Sequence, residues 1–172
     1  MTEQHVMILG VGNLLFSDEG FGIRVVEELE RCYTFPDNVS IVDGGVLGVS
    51  LLGVMSQADH LIVVDVIRNQ GTPGDIYRLE GDAIPERIRA KNSLHQVDFL
   101  EALTLCQAMD KVPEAVIIGV EPEDIRTLQT ELTSTTRNKM DVIIQMVLEE
   151  LECLGITCRK RGTENHVSSN PI

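Results

Sequence analysis

The side chains in this sequence best suited to chemistry are acids that follow apolar runs, together with one loop histidine. Asp65 closes the run Leu61-Ile62-Val63-Val64, where an ionised carboxylate is costly unless it is solvated or bound. Asp18 and Glu19 follow the run Val6-Met7-Ile8-Leu9 and the loop from Gly10 to Asp18. As residues that open a helix, they also complement its dipole. His5 and His60 precede apolar runs and belong at the opposite end of those segments. His60 is five residues from Asp65, roughly 16 Å along an extended strand, too far for the two to share one ion. His166 lies in the polar tail. His95, in the loop after Lys91-Asn92-Ser93-Leu94, is the histidine free to reach Asp65.

Glu19, Asp65 and His95 together offer two oxygen ligands and one imidazole. Such a set suits a borderline divalent ion, Ni²⁺ or Zn²⁺, with positions left open for water or substrate. Two ionised carboxylates balance the ion's charge, and the imidazole must be neutral to ligate, so binding weakens as pH falls. Other hydrolytic signatures are missing. There is no H-E-x-x-H pair, Gly48-Val49-Ser50-Leu51-Leu52 lacks the closing glycine of a nucleophile elbow, and no cysteine lies beside a suitable histidine. Gly10-Val11-Gly12-Asn13-Leu14-Leu15 begins like a dinucleotide fingerprint, but Leu15 stands where its third glycine belongs. Asp18 and Glu19 would also repel a pyrophosphate at the helix start.

The elements that position these residues read as an alternation of strands and helices. Strands are expected at Val6–Leu9, Val39–Val42, Leu61–Val64, Ile76–Leu79 (a sheet edge) and Ala115–Val120. Continuous apolar runs of this kind suit strands buried on both faces of a parallel sheet. Helical spacing predicts helices over Phe21–Tyr33, Val49–Gln57 and Val97–Met109. A long helix follows from about Thr133, with Thr133 as N-cap and Met140, Ile144, Val147, Leu151 and Leu154 on one stripe. Turns fall at Pro36–Asn38 and Gly71–Gly74. The fold class is therefore α/β: a single three-layer domain over residues 1–160, with a mostly parallel twisted sheet of about five strands and helices on both faces. Residues 161–172 form a polar tail expected to be disordered. In open α/β sheets ligands bind beyond the carboxyl ends of the strands. Asp65 and Glu19 stand there.

Size and composition agree. A chain of 172 residues is one ordinary domain, able to bury roughly 70% of its unfolded surface. Aromatic residues are 3% with no Trp, so the core is aliphatic. A net charge of −13 repels a phosphate backbone and an anionic membrane surface, which argues against both partners. Cys32, Cys106, Cys153 and Cys158 form no C-x-x-C pair, Cys32 and Cys106 fall on helix faces expected to be buried, and the start Met1-Thr2-Glu3-Gln4 carries no basic leader region. A cytoplasmic protein with reduced thiols is expected.

The ordered set Gly10-Val11-Gly12-Asn13, Asp18-Glu19-Gly20-Phe21-Gly22, Asp43-Gly44-Gly45, Asp65, Ser93-Leu94-His95-Gln96 and Gly119-Val120-Glu121-Pro122 resembles the hydrogenase maturation protease family. The likeness runs from Met7 to about Gly155. It places the family's acidic, aspartate and histidine ligands on Glu19, Asp65 and His95, the trio already selected. It implies a monomeric endopeptidase acting on the precursor of a nickel–iron hydrogenase large subunit, whose nickel the precursor itself presents; zinc or cadmium would serve as surrogates. Asp43, Gly44 and Gly45 would help position that substrate. With this ligand trio and no nucleophile beside it, metal-assisted hydrolysis without an acyl-enzyme is expected, with the general base open between the acids. One departure stands out: Ser134, Thr135 and Thr136 replace the family's proline, small and aliphatic residues. It is expected to weaken the helix start slightly without touching the site. The rivals are a non-catalytic metal-binding assembly factor for the same precursor and a self-contained zinc amidohydrolase or peptidase.

Overall fold

The computed structural model describes residues 4–45, 53, 55–81 and 113–162. The helices expected over 49–57 and 97–109 fall largely or wholly outside the described residues, as do His95, Cys106 and the tail beyond residue 162.

Strand β1 (Val6–Val11) is buried at every position. After it the chain makes a 3-10 turn, Ser17–Gly20, then helix α1, Phe21–Cys32. Strands β2 (Tyr33–Thr34), β3 (Val39–Gly45), β4 (His60–Val66), β5 (Ile76–Glu80) and β6 (Glu114–Val120) follow. Two helices, α2 (Ser134–Arg137) and α3 (Met140–Cys153), and strand β7 (Arg159–Lys160) complete the described chain.

The sheet is five-stranded in the order β3-β1-β4-β6-β5. β1 pairs in parallel with β3 and β4, and β4 in parallel with β6. Only β5, at the edge where it was expected, runs antiparallel. The chain leaves β1 toward β3 and then returns to the other side of β1 for β4. The order therefore reverses between β1 and β4, the kind of switch point at which open α/β sheets bind ligands beyond the carboxyl ends of their strands.

Strand alternation divides the core into two layers. Val6, Ile8, Ile62, Val64, Ile118 and Val120 face Phe21, Val25, Val26 and Leu29 of α1 and Ile143, Val147 and Leu151 of α3. Met7, Leu9, Leu61, Val63 and Ile117 face the other way, with Met55 among their neighbours. Burial on both faces explains why these strands read as unbroken apolar runs.

Three differences from the sequence reading have local causes. The helix expected from Thr133 is split. Thr133 does cap its start, accepting a hydrogen bond from Thr136 N, but the last turn of α2 tightens with Lys139 N donating to Thr136 O at 2.9 Å, and α3 begins afresh at Met140. Leu154 then lies past the end of α3 and is 36% exposed. Tyr33, expected in the first helix, is extended and pairs with Lys160 in a two-stranded ribbon of β2 and β7. Cys32, expected on a buried face, is only half-buried, with its thiol donating to Glu28 Oε1 at 3.3 Å.

Candidate active site at the carboxyl edge of the sheet

Glycine makes the close approach of α1 to the sheet possible. A β-carbon on Gly22 would stand 2.1 Å from Val64 O and 2.4 Å from Val11 O, so α1 starts in direct contact with the ends of β1 and β4. Gly12 has φ +148, and a β-carbon there would lie 1.9 Å from Glu19 O. The G-x-G motif therefore makes room for the acidic turn.

That turn is tightly held. Asn13 N donates to Glu19 O at 2.9 Å, and Glu19 N donates to Phe16 O at 3.0 Å. Ser17 adopts φ 45, unusual for a residue with a side chain. Its surroundings hold it there: Ser17 N donates to Gln129 O at 2.7 Å, its hydroxyl donates to Glu131 O, and Gln129 Nε2 donates back to the hydroxyl at 3.0 Å. Glu19 is half-buried, with Oε2 shielded from solvent. Asp65, 6% exposed, is the penultimate residue of β4 and follows Val64, whose carbonyl α1 abuts. Its Oδ1 accepts from Val66 N at 2.7 Å. The turn also packs on β4. The turn that carries Glu19 and the strand that carries Asp65 are thus neighbours at the β1/β4 reversal, the edge to which the sequence assigned them.

The other expected residues divide. Asp43 and Gly45 end β3 at this same edge, where Gly10 pairs with Asp43 and the register then shifts between Gly10 and Val11. Asp43 is exposed, and its Oδ1 accepts from Gly45 N at 2.9 Å. Gly44 is buried against Leu9 and the Gly10 carbonyl. His5 and His60 are at the opposite, amino edge as expected: His5 bonds Ser40 Oγ, and His60 lies between Gln4 and Glu114. His95 lies outside the described residues. Among the described residues no three His, Cys, Asp or Glu side chains form a group able to hold a metal ion. The described part of the proposed ligand set is two carboxylates.

Two features at this edge were not anticipated. Glu121, 7% exposed, follows β6 directly; its Oε2 accepts from Tyr77 OH at 2.8 Å and from Asn69 N at 2.7 Å. Burial, and next this hydrogen bond, push the Tyr77 phenol up to about 12. The signal that singled out Asp65, an acid closing an apolar strand, applied equally to Glu121. The second feature is Asp18, fully buried. It does more than complement the dipole, because its carboxylate reaches Thr133 and Thr136. The Ser134-Thr135-Thr136 departure thereby reaches the residue next to Glu19, through the Thr136 hydroxyl, which donates to Asp18 Oδ1 at 2.6 Å.

Comparison with known proteins bears on this geometry. The family model HycI, hydrogenase maturation protease, matches residues 23–150. The chain is 37% identical over 162 residues to the hydrogenase expression/formation protein HupD of Bradyrhizobium diazoefficiens, covering 93% of this chain and 84% of that one. It is 35% identical over 153 residues to the hydrogenase 2 maturation protease of Escherichia coli K12, covering 88% of this chain and 93% of that one. The solved hydrogenase maturating endopeptidase HybD from Escherichia coli superposes with a TM-score of 0.88 at 34% identity, covering 91% and 98% of the two chains.

Proposed function

Because this chain belongs to the hydrogenase maturation protease family and is thus a peptidase, we propose that it removes the C-terminal extension from the nickel-loaded large-subunit precursor of a nickel–iron hydrogenase. The observation that carries this reading is the placement of Glu19 and Asp65 on neighbouring elements at the carboxyl edge, where the strand order reverses between β1 and β4. Among the described residues both histidines lie at the other edge, so no described Ser–His or Cys–His pair offers a covalent nucleophile here. The carboxylates, with His95, bind the divalent ion that the precursor carries. Holding that ion places the scissile peptide over the edge, converting an encounter into a positioned, intramolecular step. The bound ion supplies charge stabilisation for the scissile carbonyl. One of the two acids takes the proton of the attacking water. Asp43, Gly44 and Gly45 lie at the same edge and contact the extended tail. The protein acts as a monomer in the cytoplasm, and zinc or cadmium substitutes for nickel at the trio. Among the described residues no helix is long and apolar enough to cross a membrane.

The test is to incubate nickel-loaded and nickel-free precursor with the protein and weigh the products. Only the loaded precursor loses mass, and Glu19→Gln and His95→Ala abolish the loss. Equal cleavage of both precursors refutes nickel recognition. Tight binding with unchanged precursor mass leaves an assembly factor instead.

A further inference from the structure

We propose that Asp18 is the positioning residue that fixes Glu19 for metal recognition; this inference rests on the function proposed above. Asp18 is 0% exposed, and no described cation pairs with it. Its charge is spread over hydrogen-bond donors instead. Oδ2 accepts from Glu123 N at 2.9 Å, Asp124 N at 3.0 Å and the Thr133 hydroxyl at 3.0 Å. Oδ1 accepts from Thr133 N at 2.9 Å, the Thr133 hydroxyl at 3.1 Å and the Thr136 hydroxyl at 2.6 Å. Asp18 N in turn donates to Asp124 O at 2.9 Å. Segments more than 100 residues apart in sequence are tied at one side chain, with separations from 105 to 118.

The consequence falls on the next residue. Glu19 lies between Asp18, locked by these bonds, and Gly20, packed against Leu14. Its carbonyl is held against Gly12 by Asn13 N. Its backbone therefore has little freedom, and its side chain leaves from a fixed point. A ligand constellation needs its side chains held within about 0.5 Å, and rigid supporting hydrogen bonds supply that. A buried carboxylate is costly unless every lone pair is met. Here both oxygens face backbone N–H groups, which no neutral amide can satisfy at once. In Asp18→Asn, either orientation turns an NH₂ group onto a backbone donor: Thr133 N on one side, Glu123 N and Asp124 N on the other.

The test measures Ni²⁺ binding by the full chain by calorimetry, cleavage of the nickel-loaded precursor, and melting temperature. Asp18→Asn is expected to lower Ni²⁺ affinity by about 10–100-fold, the usual loss when a ligand's supporting hydrogen bonds are removed, with a matching loss of cleavage rate. Leu151→Ala, in the core at the far end of α3, is the stability control: it lowers the melting temperature while Ni²⁺ affinity stays at the wild-type value. Should Asp18→Asn fail to fold, Thr136→Val removes one donor of the five and is expected to weaken Ni²⁺ binding about threefold, a fraction of the full loss. A folded Asp18→Asn or, failing that, Thr136→Val with wild-type Ni²⁺ affinity and cleavage overturns the proposal, provided Glu19→Gln loses both. If Glu19→Gln also binds and cleaves normally, the metal reading beneath it has failed.

Discussion

Gly22→Ala tests whether the site depends on how closely α1 lies on the sheet. Two effects oppose each other. Alanine is the better helix former by about 1 kcal/mol, and Gly22 sits in the first turn of α1 with ordinary helical geometry. Against that, the added methyl carbon would be 2.1 Å from Val64 O and 2.4 Å from Val11 O. Both obstacles are backbone carbonyls of buried strands, so no side chain can swing aside. To leave the repulsive range the start of α1 must retreat by at least about 1 Å. Overpacking of this kind costs about 1–3 kcal/mol, which outweighs the propensity gain at all but its lower end. For a chain of this length 1 kcal/mol corresponds to about 2–4 °C, so the melting temperature is expected to fall by several degrees. Glu19 moves with the helix start, while Asp65 stays with β4. A misplacement of about 1 Å in a positioned site costs on the order of 100-fold in rate. Precursor cleavage should therefore fall far more than stability does. The assay pairs a thermal melt with a timed mass measurement of the precursor. A Gly22→Ala protein that melts at or above the wild-type temperature and cleaves at the wild-type rate refutes the packing argument.

Other predictions are more local. Leu151→Ala deletes a fully buried side chain facing the sheet from α3 and should cost about 2–5 kcal/mol, read by denaturant unfolding with an unchanged slope. In a spectrophotometric titration the Tyr77 phenol should ionise near 12, and Tyr77→Phe should remove that phase; a Tyr77 phase near the ordinary phenol value of about 10 contradicts it. Because the folded protein holds this proton more tightly than the unfolded chain, the associated stability is complete below about pH 10 and is lost as pH rises toward 12. Unfolding free energy measured across that window should decline in the wild type and decline less in Tyr77→Phe.

The sheet was legible in the sequence because its strands are buried on both faces, and burial writes itself as unbroken runs such as Val6-Met7-Ile8-Leu9 and Leu61-Ile62-Val63-Val64. Asp65 was legible for the same reason, since one charge at the end of such a run needs an explanation. Hydrogen-bond networks leave no such trace. Nothing near Asp18 in the chain announces Glu123, Asp124, Thr133 or Thr136, because the partners lie more than 100 residues away. Its position after a loop pointed only to the helix dipole. The break between α2 and α3 was hidden similarly: the apolar stripe begins only after it, at Met140, and the Thr136 hydroxyl is occupied by a residue from the other end of the sequence. The ribbon of β2 and β7 has strands of two residues, too short for any period to register. The glycine motif had the opposite problem, resembling a familiar pattern with a different physical purpose. In a dinucleotide site, glycines let a pyrophosphate approach the backbone. Here Gly12 admits the carbonyl of Glu19 and Gly22 admits those of Val11 and Val64. What comes close is protein backbone, and the acids that follow, Asp18 and Glu19, rule out a phosphate at that turn.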